Sequence, residues 1–132
     1  MTDQHYRLRL PETRHSLTHR VIISDQLGGE HDVYLTAGYY DQIDPSSAGQ
    51  IGEIFIQIGK QGSTLKGAFD SWAIMISLSL QYGVPLSAIV SKFKHVAFEP
   101  SGMTSNSEIP SCSSVVDYAV RWIEQHSELK SE

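Results

Sequence analysis

An α+β fold is predicted for this chain: a three-stranded antiparallel meander, with an N-terminal edge strand as an option, followed by three helices packed on one face. Two observations carry the prediction. Hydrophobic residues alternate with period two through residues 16–58, and the period then changes to 3.6 through residues 63–124. A length of 132 residues with 40% hydrophobic content supports one core, so a single domain is expected over 1–132. Within it the pattern marks an arm (1–12), the meander (16–58), a helical part (63–124) and a tail (125–132).

Tyr6, Leu8 and Leu10 alternate before Pro11, which suits either a short edge strand or an arm laid on a neighbour. Leu17, His19, Val21 and Ile23 form one face of the first strand, over Leu17 to Ser24. Gly28-Gly29 offers the positive-φ residues of a hairpin turn, and Val33, Leu35 and Ala37 line the return strand from His31 to Gly38. The stretch 39–50 has turn composition, and Ile54, Ile56 and Ile58 mark a third strand over Glu53 to Ile58.

Leu65, Phe69, Trp72, Ile76 and Leu80 then recur at helical spacing, with Ala68, Ala73 and Met75 widening the stripe. The resulting helix, Ser63 to Tyr82, is expected to be the most buried of the three. Gly83 suits its C′ position, and Pro85 suits the first turn of a second helix carrying Leu86, Ile89, Val90 and Phe93. A polar connection through Phe98-Glu99-Pro100-Ser101-Gly102-Met103-Thr104 leads to Ser113 or Ser114 as N-cap of a last helix, with Val115, Tyr118, Ala119, Trp122 and Ile123 inward.

Composition excludes several functions. The net charge of −5 and pI near 5.6 argue against a general nucleic-acid coat. No apolar run is long enough to span a bilayer, and a cytoplasmic location is expected, in the cell or in an infected host. The single cysteine, Cys112, excludes an intramolecular disulfide or thiol pair. His15 and His19, four apart in extended chain, are too distant to share a metal ion; no metal or other cofactor is expected.

The segment with most chemical promise is Gly59-Lys60-Gln61-Gly62-Ser63-Thr64-Leu65-Lys66-Gly67, a strand-to-helix junction. A helix start offers unpaired N–H groups and a positive dipole end, and Lys60, Gly62, Ser63, Thr64 and Lys66 supply donors around it. A phosphate-bearing ligand fits such a site, with Arg20, Ser101 and Thr104 as further candidates; the spacing is not that of a P-loop. The competing reading is a plain turn, a hydroxyl cap and solvated lysines. Asp70 and Asp117 stand one turn from Lys66 and Arg121, the spacing of helix ion pairs.

GEIFIQIGKQGSTLKGAFDSWAIMISLSLQYGVPL, then FEPSGMT, then SSVVDYAVRWI, together with the hairpin RVIISDQLGGEHDVYLTAGYY, resemble the C-terminal region of adenosylcobalamin-dependent (class II) ribonucleotide reductases, often called the TSCPD domain. The resemblance covers roughly residues 11–124. In that family the catalytic barrel, with its radical cysteine and thiol pair, precedes this region, and none of its motifs occurs here. The resemblance therefore implies a non-catalytic, stand-alone module that binds a nucleotide-like ligand or a reductase polypeptide. Two alternatives are a protein that sequesters a (cyclic) nucleotide signal, as in a virus, and one subunit of a split reductase. The apolar excess of the central helix further predicts a homo-oligomer.

Overall fold

The computed structural model describes residues 6–41, 49–59 and 62–127, with only the backbone of Ser63. The elements run β1 (Ser16–Ser24), β2 (Glu30–Tyr39), β3 (Ile51–Ile58), α1 (Ser63–Gln81), α2 (Leu86–Phe93), β4 (Gly102–Thr104), β5 (Ser111–Cys112) and α3 (Val115–Gln125). The α+β class and the meander are as the periodicity predicts. The sheet, however, has five strands in the order β3-β2-β1-β4-β5, every neighbouring pair antiparallel. β4 and β5 fall in the segment read as a polar connection; three and two residues are too few to show an alternation.

Alternation sets which side of the sheet is buried. Val21 and Ile23 of β1, Val33, Leu35 and Ala37 of β2, and Ile54 and Ile56 of β3 point to one side and are buried there. The opposite side faces solvent with Thr18 bonded to Thr36, Arg20 paired to Asp32, and Tyr34 and Phe55 exposed. Gly28 alone supplies the positive φ of the β1–β2 turn, at 88°. Gly102 takes φ 147°, and a Cβ there would stand 2.1 Å from the Ser24 carbonyl oxygen, so β4 approaches β1 only because residue 102 has no side chain.

Burial ranks the helices differently from the hydrophobic count. α3 is the most buried, with Val115 to Val120, Trp122 and Ile123 all inside, whereas α1 buries Phe69, Ala73, Ile76 and Gln81 among its described side chains. The reason is position. α3 lies over β1, where Tyr118 and Trp122 stack on His19, and α2 packs against it. α1 runs along β3 at the sheet edge and is covered on one side only, which leaves Ile74 and Met75 in solvent.

Residues 6–15 form no strand. They lie as an arm across the end of α1, where Leu8 N–H donates to the Gln81 carbonyl (2.8 Å) and Arg7 Nε to Gln81 Oε1 (2.6 Å). Arg14 closes the arm on Glu53 at 2.7 Å. Gly83 ends α1 at φ 96°, and Pro85 takes the N-cap of α2 rather than its first turn. Residues 128–132 of the predicted tail lie outside the described residues.

Candidate functional site

α1 starts at Gly62, an N-cap with no side chain to offer the first-turn N–H groups. Beside this start, Leu65 and Ser101 line a cleft of about 480 Å³ whose other walls are Leu27, Asp25, His31 and Glu99. Asp25 organises the β1–β2 turn beside it. Its Oδ1 accepts from Leu27 N–H (2.9 Å) and Gly29 N–H (2.8 Å), and its Oδ2 meets His31 Nε2 at 2.9 Å. The His31 hydrogen bond, followed by the Gly29 N–H, holds the Asp25 carboxyl below its usual range. The cleft thus sets two carboxylates, Asp25 and Glu99, near a helix start that by itself attracts anions.

The other residues proposed for a phosphate do not converge on that cleft. Lys66 lies on another side of α1, in a groove of about 610 Å³ between the helix and β3, and its Nζ is 3.0 Å from Asp70 Oδ2. Arg20 is on the solvent side of the sheet, 2.8 Å from Asp32. Thr104 Oγ1 donates to the Ile109 carbonyl and accepts from Asn106 N–H, so its hydroxyl shapes the β4–β5 turn. Thr64 is exposed in the first turn of α1. Lys60 and the side chain of Ser63 lie outside the described residues.

Two polar clusters were not fully legible in the sequence, because each draws a member from a distant part of the chain. The first centres on Asp117, with a side chain fully buried. Oδ1 accepts from His95 N–H (2.7 Å) and Arg121 Nε (3.1 Å), and Oδ2 from Ser113 N–H (3.0 Å) and Arg121 Nη2 (2.8 Å). Burial opposes the charge, but these N–H donors and the guanidinium outweigh it and hold the Asp117 carboxyl below its usual range. The Asp117/Arg121 spacing gave half of this cluster; the N–H groups of His95 and Ser113 could not be foreseen. The second cluster joins β1 to α3. Asn106 Nδ2 donates to the Tyr118 hydroxyl (2.9 Å), which is also hydrogen-bonded to His19 Nε2 (2.7 Å). Both clusters are closed networks that brace the connection from α2 to α3.

The thiol of Cys112 is buried, and burial pushes its pKa up, away from the nucleophilic thiolate. Among the described residues no helix is long and apolar enough to cross a membrane. Fold and side chains together define a two-layer α+β module with one shielded thiol and open clefts beside α1. The comparisons give its family. The TSCPD domain model matches residues 4–127, and the chain belongs to the TSCPD domain family. It is 47% identical over 89% of its length to a vitamin B12-dependent ribonucleotide reductase of Rhodopirellula baltica, and 43% identical over 87% to that of Streptomyces avermitilis. The protein of the same name from Streptantibioticus cattleyicolor is 42% identical over 87% of the chain. The chain spans 10%, 11% and 17% of these three relatives. No solved structure matches.

Proposed function

We propose that this chain is a non-catalytic module that docks on the polypeptide of a vitamin B12-dependent ribonucleotide reductase and modulates it, in the cytoplasm. The observation that supports the reading is chemical. Ribonucleotide reduction needs a thiyl radical and two further thiols as electron source, whereas this chain has one thiol, that of Cys112 in β5, buried and shifted away from reactivity. The relatives that match nearly all of it are several times longer, which leaves the chemistry to parts of them that this chain does not resemble.

Two measurements test the reading. Incubated alone with adenosylcobalamin, dithiothreitol and a ribonucleotide, the chain is expected to form no deoxynucleotide. Mixed with a B12-dependent reductase polypeptide trimmed of its own TSCPD segment, it is expected to co-sediment in fixed stoichiometry and to change the reductase rate. Deoxynucleotide formed by the chain alone, or no complex at micromolar concentrations, defeats the proposal.

A second reading, a nucleotide-like phosphate ligand at the start of α1, is favoured by the uncapped Gly62 terminus beside Ser101. Against it stand Asp25 and Glu99 in the neighbouring cleft and the engagement of Lys66 with Asp70. Calorimetric titration with ATP and cyclic nucleotides decides. Binding that Ser101→Ala weakens about tenfold or more supports it, and unchanged affinity in that variant removes it.

A further inference from the structure

Each edge of the sheet poses its own hydrogen-bonding problem. β5 ends the sheet with two residues, whereas β3 presents eight. An edge strand leaves the N–H and C=O of every second residue pointing outward, and proteins blunt such edges with lysine, proline, a bulge or a covering element. Residues 54–58 of β3 carry no lysine or proline, and the register shift in the β2–β3 ladder lies beyond them, at Gly38/Tyr39. Cover comes from α1, and it stops halfway. Gly59 N–H donates to the Asp32 carbonyl of β2 (3.0 Å), so the odd-numbered residues here face β2 and the even-numbered ones face outward. Ser77 Oγ accepts from the outward N–H of Ile54 (3.0 Å), and Gln81 Nε2 donates to the Gly52 carbonyl (2.9 Å). The next position at that four-residue helical step is Ala73, whose methyl group neither donates nor accepts. Among the described residues, no side chain caps the outward groups of Ile56 or Ile58.

A groove of about 610 Å³ follows this edge, with Phe55, Ile56 and Gln57 on the β3 side and Asp70, Ile74 and Leu78 on the α1 side. Phe55 is 51% exposed on one wall and Ile74 60% on the other. From Lys66 to Gln81 the helical wall is about 22 Å long, the span of about seven extended residues. What fits there is a strand. Its backbone supplies an acceptor and a donor for Ile56 and Ile58, and its side chains alternate between the solvent side of the sheet, beside Phe55, and the flank of α1, beside Ile74. A second copy of β3 does not qualify, because its own α1 lies along the same edge and would collide with the first. Charge narrows the choice further. Glu53 is matched by Arg14 and Asp70 by Lys66, while Arg7 meets the neutral amide of Gln81. The charge left over among these side chains is positive, which suits an acidic residue at the Gln81 end of the strand.

We propose that an extended segment of the reductase polypeptide, apolar at alternate positions and acidic at one end, adds to β3 as a sixth strand in this groove. The strand site rests on the reductase reading and gives it a surface. Overlapping peptides of about twelve residues, tiling a B12-dependent ribonucleotide reductase trimmed of its TSCPD segment, are titrated against the full chain. One of them is expected to bind and to slow amide hydrogen exchange at Ile56 and Ile58, and N-methylation along it is expected to abolish binding at every second residue, the period of a strand. Ile74→Asp places a carboxylate on the groove wall and is expected to weaken binding of both the peptide and the trimmed reductase about tenfold or more, with far-UV circular dichroism unchanged. Met75→Asp, one residue on and 62% exposed, lies outside the groove and is expected to change neither. The sixth strand is refuted if no peptide binds at micromolar concentrations, if the two aspartate variants behave alike, or if N-methylation shows no alternation. Peptide binding without co-sedimentation of the trimmed reductase sinks the functional reading and keeps the strand site; co-sedimentation untouched by Ile74→Asp does the reverse.

Discussion

Asp117→Asn tests whether the buried carboxylate is the brace of the segment joining α2 to α3. The aspartate accepts four hydrogen bonds and is surrounded by donors alone: the N–H groups of His95 and Ser113 and two nitrogens of Arg121. An asparagine of the same shape keeps one oxygen and turns an NH₂ toward two of those donors, so two bonds are lost and two donors face a third. Hydrogen bonds to a charged group contribute about 1.5–3 kcal/mol each, and breaking a buried ion pair from one side costs about 3–5 kcal/mol. We therefore expect a loss of about 3–5 kcal/mol, a large share of the ~5–15 kcal/mol typical of a domain. Urea unfolding at pH 7, followed by the fluorescence of Trp72 and Trp122, measures it through the midpoint at unchanged slope. Because the folded carboxyl titrates below its usual range, the aspartate's advantage is full above the unfolded value of ~3.9 and fades as pH falls through the lower folded value. Wild type and variant should accordingly converge in acid. A variant within about 1 kcal/mol of wild type at pH 7, or a gap that does not narrow as the pH falls below ~3.9, refutes the reasoning.

Two further outcomes follow from the other internal contacts. Burial, and to a lesser extent the nearby His126, lowers the pKa of His19; the native state binds its proton more weakly than the unfolded chain does, so the His19 contribution is full above ~6.5 and declines as pH falls below it. Melting temperature should drop between pH 7.5 and 5, and His19→Gln should flatten that slope; an equal slope in the variant counts against it. Ser77 Oγ accepts from Ile54 N–H (3.0 Å) and donates to the Ala73 carbonyl (2.8 Å), fastening α1 to the sheet edge. Ser77→Ala should cost about 1–3 kcal/mol in urea unfolding, while Ser79→Ala, whose hydroxyl only returns to Met75 on its own helix, should stay within ~0.5 kcal/mol; equal costs would show that the edge contact contributes nothing.

The long elements were legible because periodicity reports burial. Val33, Leu35 and Ala37 fall inside as their alternation predicts, and so do Tyr118, Trp122 and Ile123 at helical spacing. The rank of the helices was not legible. Hydrophobic content says that a face avoids water and is silent on whether its own chain covers it, which is why Met75 was counted toward the core and lies outside. The candidate site fared least well. Lysines, hydroxyls and glycines near a helix start look alike in sequence whether they converge or not, and folding sends Arg20, Lys66 and Thr104 to three different places. The Asp117 brace depends on N–H groups supplied from residues 95 and 113, contacts that only the folded chain defines.

The placement of β4 beside β1 bears on how the module can be assembled and cut. Ile23 pairs with Thr104 across some eighty residues, and the strands from the start of the chain are flanked on one side by a hairpin made near its end. Closing that pair has to wait until nearly all the intervening chain has been ordered, so folding should be slow for the size and all-or-none. A break after α2 would leave an amino-terminal piece with β1 as a bare sheet edge and a carboxy-terminal piece holding α3, the hydrophobic centre, with no sheet to rest on. Neither piece is a smaller version of the whole, and shuffling of this module between proteins is therefore expected to move it entire.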